Sequence, residues 1–208
     1  ESIEKDKRII CQFGSDEFKD QEQYDLEIAA DGHSSPARVR MGIKKWAVPY
    51  KQGCLTAKVL IRGGKPMTAY EIFRAEGPFA VLPMGGEVFQ IVWTDKYSSC
   101  INRSRLNKAI FLDQLAALLP EGMEPDVLLD NPAAFPNELF FASRLYSGMK
   151  LLVGESAHRC HPVGGQGLNL CWRDVNTLIA LMKKVHTSKI PISKVPKRYA
   201  RMRILDIY

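Results

Sequence analysis

Residues able to do chemistry crowd into one stretch near the carboxy end of the chain. It runs Leu151-Leu152-Val153-Gly154-Glu155-Ser156-Ala157-His158-Arg159-Cys160-His161-Pro162-Val163-Gly164-Gly165-Gln166-Gly167-Leu168-Asn169-Leu170. Gly164, Gly165 and Gly167 fall just ahead of Leu168, Cys171, Trp172, Val175, Leu178, Ile179 and Met182, which recur at helical spacing. The first N–H groups of a helix have no partner within it, and the helix dipole is positive there. Glycines at that point let a flat or anionic ligand reach the bare backbone. The chemistry indicated is stabilisation of delocalised negative charge. Side-chain chemistry is less well supported. His158, Cys160, His161 and Cys171 offer zinc ligands, but no Cys-x-x-Cys or His-Glu-x-x-His spacing is present, and no metal is assigned. Ser156 lies in Gly-Glu-Ser-Ala-His, not in the Gly-x-Ser-x-Gly of a nucleophilic hydrolase. Cys171, at helical spacing, reads as a small core residue.

The elements that must position this stretch can be read on both sides of it. Lys150–Val153 is a short apolar run ending in Gly, the pattern of a buried parallel strand, so the order is strand, glycine-rich turn, helix. Another apolar strand is expected at Arg8–Phe13. From Trp46 to Thr94 apolar and polar residues alternate between paired glycines. Leu55–Ile61 and Met67–Phe73 around Gly63-Gly64 are expected as one hairpin, and Phe79–Met84 and Val88–Trp93 around Gly85-Gly86 as another. One face of the resulting antiparallel sheet could roof a substrate pocket. Ser104 is expected to precede a helix with Leu106, Ile110, Phe111, Leu115, Leu118 and Leu119 on its apolar stripe, ended by Pro120 and Gly122. The stretch 126–144, with Pro132, Pro136 and several Phe, is expected to return along the sheet edge.

The glycine-rich stretch closely resembles the third sequence motif of the FAD-dependent aromatic-ring hydroxylases of the p-hydroxybenzoate hydroxylase-like family, in which Gly-Asp-Ala-Ala-His leads through Pro into Gly-Gln-Gly-Leu-Asn. Tyr24–Arg38, an apolar strand followed by Ala30-Asp31-Gly32, Ser34 and Arg38, is similar to the family's second signature. Phe73–Met84 and Val92-Trp93-Thr94 resemble the substrate-domain hairpin of its ubiquinone-biosynthesis branch. The ordered set covers most of the chain from Tyr24 to about Arg203.

The resemblance implies an α/β fold, α+β within this chain, in which an antiparallel substrate sheet is inserted into an FAD/NAD(P)-binding fold. Residues 1–40 would belong to the FAD-binding domain, 41–145 to the substrate sheet and 146–208 to the distal FAD-binding segment. The implied activity is FAD-dependent hydroxylation of an aromatic prenylquinone precursor, with NAD(P)H and O2 as co-substrates. Pro162, Gly164, Gly165, Gln166, Gly167, Leu168 and Asn169 would lie against the isoalloxazine. Gly154 and Glu155 would face the ribityl chain. Glu155 stands where the family usually has Asp, keeping the acceptor but adding a methylene. Asp31 and Gly32 would close around the cofactor and nicotinamide entrance with Arg38 nearby. The plainer reading of those three is a turn and a surface ion pair. No acid–base residue is implied, so the catalytic side chains stay unassigned.

The family's opening Gly-x-Gly-x-x-Gly unit, which meets the FAD pyrophosphate, is absent from this sequence. The chain is therefore expected to be a piece of a longer flavoprotein, colourless by itself and prone to self-association through apolar faces. The alternative is a non-catalytic remnant that keeps the fold as a binding module.

Composition narrows the remaining classes. An apolar fraction of 46% over 208 residues supports a sizeable core. No apolar run approaches the ~20 residues of a membrane span, and there is no signal-peptide pattern. Five scattered cysteines argue against a disulfide framework and for a reducing, cytoplasmic setting. The net charge of +6 concentrates late, at Lys183, Lys184, Lys189, Lys194, Lys197, Arg198, Arg201 and Arg203. The bland reading is a solvated helix face; the sharper one is peripheral contact with anionic lipid, suited to a prenylated substrate. Nucleic acid is not expected, because these basic residues are not interleaved with stacking aromatics.

Overall fold

The computed structural model describes residues 24–160 and 165–207. The strand expected at Arg8–Phe13 and the site residues Pro162 and Gly164 lie outside them. Two sheets and two apolar cores make up the described chain.

The smaller sheet is built from segments far apart in sequence. Strand β1 (Glu27–Ala29) is followed by a loop and a short helix α1 (Pro36–Arg40), whose N-cap Ser35 accepts a hydrogen bond from Arg38 N–H. After α1 the chain leaves for the larger sheet, which starts with β2 (Lys45–Arg62), β3 (Tyr70–Ile72), β4 (Phe79–Gly85) and β5 (Val88–Lys96). Two helices follow, α2 (Tyr97–Ser104) and α3 (Lys108–Ala116), then β6 (Glu124–Leu128) and β7 (Ala133–Ala142). The chain then returns to the smaller sheet through β8 (Tyr146–Ser147) and β9 (Lys150–Leu152). β9 pairs in parallel with β1, placing Ala29 opposite Leu152, and antiparallel with β8. The parallel strand expected at Lys150–Val153 is thus observed. A one-turn 3-10 segment, Gly154–Ser156, leads to β10 (His158–Arg159), which crosses over to pair with β7 of the larger sheet. Long helix α4 (Gln166–His186) and α5 (Val195–Ile207) end the described chain.

The larger sheet has the order β10-β7-β2-β5-β4-β3, with β6 also on β2. Period-two alternation along β2 puts Leu55, Ala57, Val59 and Ile61 on one face, where they join Phe79, Phe89, Ile91 and Trp93 beneath Cys100 of α2 and Phe111 and Leu115 of α3. Each fully buried Leu, Ile, Val or Phe side chain among them contributes roughly 1.5–3 kcal/mol. The Arg103 guanidinium closes this core, 3.8 Å over the Trp93 ring. Cys54 and Phe135, register partners across β2 and β7, lie off that buried series. The second core packs β1, β9, α1, α4 and α5 together around Leu151, Leu152, Leu181 and Tyr199.

Two local expectations are corrected. The hairpin expected around Gly63-Gly64 does not form: β3 pairs with β4, and the partner of β2 on that side is β5. The two glycines serve close approach instead. A Cβ at Gly63 would lie 2.0 Å from Gly122 O, and one at Gly64 would enter the Phe89 ring. Nor is Ser104 a helix cap. It ends α2, with its Oγ donating to Ile101 O, and α3 is capped by Asn107, whose Oδ1 accepts from Ile110 N–H at 2.9 Å. The stretch 126–144 returns along the sheet edge as expected: among the described residues β6 pairs only with β2, and β7 is flanked on its outer side only at Phe140 and Phe141, by the two residues of β10. The hairpin at Gly85-Gly86 forms as expected, with positive φ at both glycines.

Candidate functional site

Parallel pairing of β1 and β9 brings the two sequence signatures to one place. Because Ala29 and Leu152 are opposite one another, the loop bearing Asp31 and Gly32 and the turn bearing Gly154 and Glu155 leave the same, carboxyl end of the sheet. This is where ligands bind in parallel α/β sheets. Hydrogen bonds fasten the two loops together. Val153 N–H donates to Ala29 O, and Ser156 Oγ lies 2.8 Å from Ala29 O. Arg38 is buried, and its guanidinium donates to Ser156 O at 2.8 Å and to His33 O at 2.9 Å, beside the Phe140 ring. Burial lowers its pKa, with the charges of Asp31 and Glu138 acting in the opposite sense. Arg38 therefore positions the loops. It is neither the surface ion pair of the plainer reading nor an exposed cation.

Behind the turn lies a buried charge network that sequence reading did not find. Asp174, on α4, is fully buried. Its Oδ2 accepts from Gly154 N–H and lies 2.8 Å from His158 Nε2. Its Oδ1 accepts from Arg203 Nε at 2.6 Å. Arg203, buried on α5, also donates to Asp206 and to Leu170 O. Burial opposes ionisation of Asp174, but the bonds from His158, Arg203 and Gly154 outweigh it and hold the carboxyl below its ordinary range. One carboxylate thus joins the turn after β9, strand β10 and helices α4 and α5. Its sequence signal was a lone acid between Cys171 and Leu178 on the inward face of a helix. Gly154 belongs to this arrangement: its φ is +65°, and a Cβ there would lie 3.3 Å from Cys171 Sγ. Its positive φ favours glycine, and its N–H is committed to Asp174.

In front of the turn is a cleft of about 300 Å³. Glu155, Gly165, Gly167 and Leu168 line one side. Cys54 of β2 and Phe135, Asn137 and Glu138 of β7 line the other, and Arg159 and Cys160 lie between. The remaining expected residues sit around it. Gln166 and Asn169 are exposed in the first turn of α4. Asp31 is exposed with Oδ2 accepting from Ala37 N–H, and Gly32 turns the loop at φ +82°. Ser156, hydrogen-bonded internally and inaccessible, is no nucleophile. Among the described residues no group of three His, Cys, Asp or Glu could hold a metal. Burial pushes the Cys54 thiol up to about 11 and raises Cys160 and Cys171, keeping all three as neutral thiols.

The arrangement fits a flat, electron-rich ring. Gly165 caps α4 in the left-handed conformation with no side chain to satisfy the first N–H groups. A Cβ at Gly167 would touch only Cys160 Sγ, at an ordinary 3.7 Å, so the fold itself does not demand glycine there. Its smallness leaves space on the cleft side of a positive helix end.

The profile of the FAD binding domain family matches residues 15–189. The chain is 30% identical over 183 residues to the 3-demethoxyubiquinol 3-hydroxylase of Escherichia coli, covering 87% of this chain and 46% of that protein. It is 31% identical to the ubiquinone hydroxylase UbiL of Rhodospirillum rubrum, over 74% of this chain and 36% of that one. It thus spans less than half the length of these relatives. Among solved structures, Pseudomonas aeruginosa PqsL in complex with 2-aminobenzoylacetate superimposes with a TM-score of 0.69 at 16% identity, covering 88% of this chain and 52% of that one. The flavin-dependent halogenase CmlS gives 0.68 at 16% identity, over 88% and 34%. These likenesses establish a shared fold, and with a family profile matching most of its length, this chain belongs to the FAD binding domain family.

Proposed function

We propose that the full-length protein is an FAD-dependent monooxygenase that hydroxylates an aromatic precursor of a prenylquinone, using NAD(P)H and O2. This chain contributes the substrate-facing sheet and the distal part of the flavin site. The observation that carries the reading is the cleft itself, with the glycine-bearing start of α4 on one side and the β2–β7 sheet on the other. The names of the two ubiquinone hydroxylases support the substrate class.

Gly165, Gly167 and Leu168 would hold the ring of FAD, and Glu155 its polyol chain. FAD would supply the redox and oxygen chemistry. The chain's residues bind, orient and exclude water. The N–H groups at the start of α4 favour electron density at the ring edge beside them. Phe135 and Cys54 present apolar surface across the cleft, which limits access of water to the reacting ring. The carboxylate network behind Gly154 fixes the turn without touching the ligand. Among the described residues no helix is long and apolar enough to cross a membrane. Exposed Lys194, Lys197, Arg198 and Arg201 on and beside α5 suit attraction to an anionic lipid surface, where a prenylated substrate resides.

The test is turnover by the full-length protein: oxidation of NADH or NADPH stimulated by a prenylated phenol, with one oxygen atom from O2 recovered in the product. Tight FAD binding with no nucleotide oxidation would favour the binding-module alternative instead. Glu155 gives a sharper check. If it accepts a hydrogen bond from the polyol, Glu155→Ala should weaken FAD by about 1.5–3 kcal/mol, roughly ten- to a hundredfold, while Glu155→Asp binds at least as well as the parent. Equal affinity of the Ala variant in a flavin fluorescence titration removes that role.

A further inference from the structure

Among the described residues of the cleft, Asn137 is the polar side chain that is buried and yet left incompletely satisfied by the fold. It is 4% exposed, and its amide nitrogen is enclosed without a hydrogen-bond partner among the described residues. An enclosed, unmatched donor destabilises a fold by the hydration it forgoes, so such groups are rare unless something outside the chain satisfies them. Its neighbours on the sheet face are apolar: Phe135, two residues away, and Cys54, opposite Phe135 on β2. Of the two acids lining the cleft, Glu138 is paired with Lys45 at 2.7 Å, and Glu155 stands on the glycine side.

The backbone around Asn137 is also irregular. Pro136 lies opposite Gly53 and Glu138 opposite Pro49, so three residues of β2 face the single residue Asn137. Bulges of this kind re-aim a side chain and cluster beside binding sites. Gly53 fixes the irregularity, since a Cβ there would lie 2.8 Å from Phe135 O and 2.6 Å from the Tyr97 ring. The strand thus departs from regular pairing at the one residue that brings an unsatisfied carboxamide to the cleft.

We infer that Asn137 is a substrate-orienting residue whose carboxamide N–H donates to an oxygen substituent on the aromatic ring of the substrate. This rests on the monooxygenase reading above, because it is the flavin on the glycine side that leaves the sheet side for the substrate. The donor fixes which edge of the ring faces the glycine turn, and so selects oxygenated over plain aromatic rings. It takes no proton and forms no bond.

The test compares two ligands of nearly equal shape, 2-prenylanisole, whose ring oxygen can only accept, and 1-ethyl-2-prenylbenzene, which has no oxygen. Calorimetric titration of the full-length protein should show about a tenfold preference for the anisole. Asn137→Leu, close in volume, should abolish the preference while leaving FAD content unchanged, and Asn137→Ala should do the same if the Leu variant fails to fold. A wild-type protein without the preference, or a folded variant that keeps it, overturns the inference. FAD content is measured separately in the wild type. If no FAD is taken up, the monooxygenase reading fails, whereas the ligand preference still decides the role of Asn137.

Discussion

Asp174→Ala should destabilise the protein by about 3–5 kcal/mol, the range for removing one partner of a buried ion pair. Three groups lose their acceptor at once: the Gly154 N–H, His158 Nε2 and Arg203 Nε. The Arg203 cation keeps Asp206, which lies in the more exposed outer part of the network. Asp174→Asn should recover little, because its NH2 would face one of those donors. The wild-type network also carries a pH signature. The folded pKa of Asp174 lies below its unfolded value near 3.9, so its stabilisation is complete above that value and lost as pH falls toward the folded one. Urea midpoints of the wild type should therefore drop as pH falls below about 4, and the Asn variant should give a flatter profile there. Parallel pH profiles would show that Asp174 is not held ionised by this network.

Gly167→Val should reduce FAD affinity of the full-length protein at least a hundredfold, about 2.7 kcal/mol, with only a small change in stability. The separation of the two effects comes from the geometry. At Gly167 a side chain would meet Cys160 Sγ at an ordinary contact distance, so the fold accommodates it while the cleft does not. Gly165 cannot serve as the same probe: its φ of +62° makes any branched residue strained whether or not a ligand is present. Flavin absorbance after desalting, alongside the thermal midpoint, reads both quantities. A folded Gly167→Val protein that remains fully loaded would place the ring elsewhere.

The contrast between these two positions shows how far the sequence could be read. The strand at Lys150–Leu152, helix α4 and the hairpin at Gly85-Gly86 were legible because glycine and apolar period coincide within a few residues, whereas β10, between that strand and helix, carries no such local signal. The grouping of Gly154, Glu155, Gly165, Gly167 and Leu168 followed from the family resemblance, and all five lie at the turn or the cleft. What stayed hidden depends on distant partners. The glycine pair at 63–64 looks like a hairpin turn until Gly122 and Phe89 are seen packed against it. Arg38 and Asp174 are charged residues with partners 118 and 16 to 29 positions away, a pairing that neither period nor local spacing encodes. Asn137 gained its meaning only from a bulge between two strands that are remote in sequence.

The most direct measurement of the central claim is amide hydrogen exchange in the full-length protein with and without FAD. If the start of α4 cradles the ring, exchange at Gly165, Gln166, Gly167, Leu168 and Asn169 should slow markedly on FAD addition, while the buried Leu151 and Leu152 of β9 change little. FAD bound at full occupancy with the amides of residues 165–169 exchanging at their original rates would contradict the account.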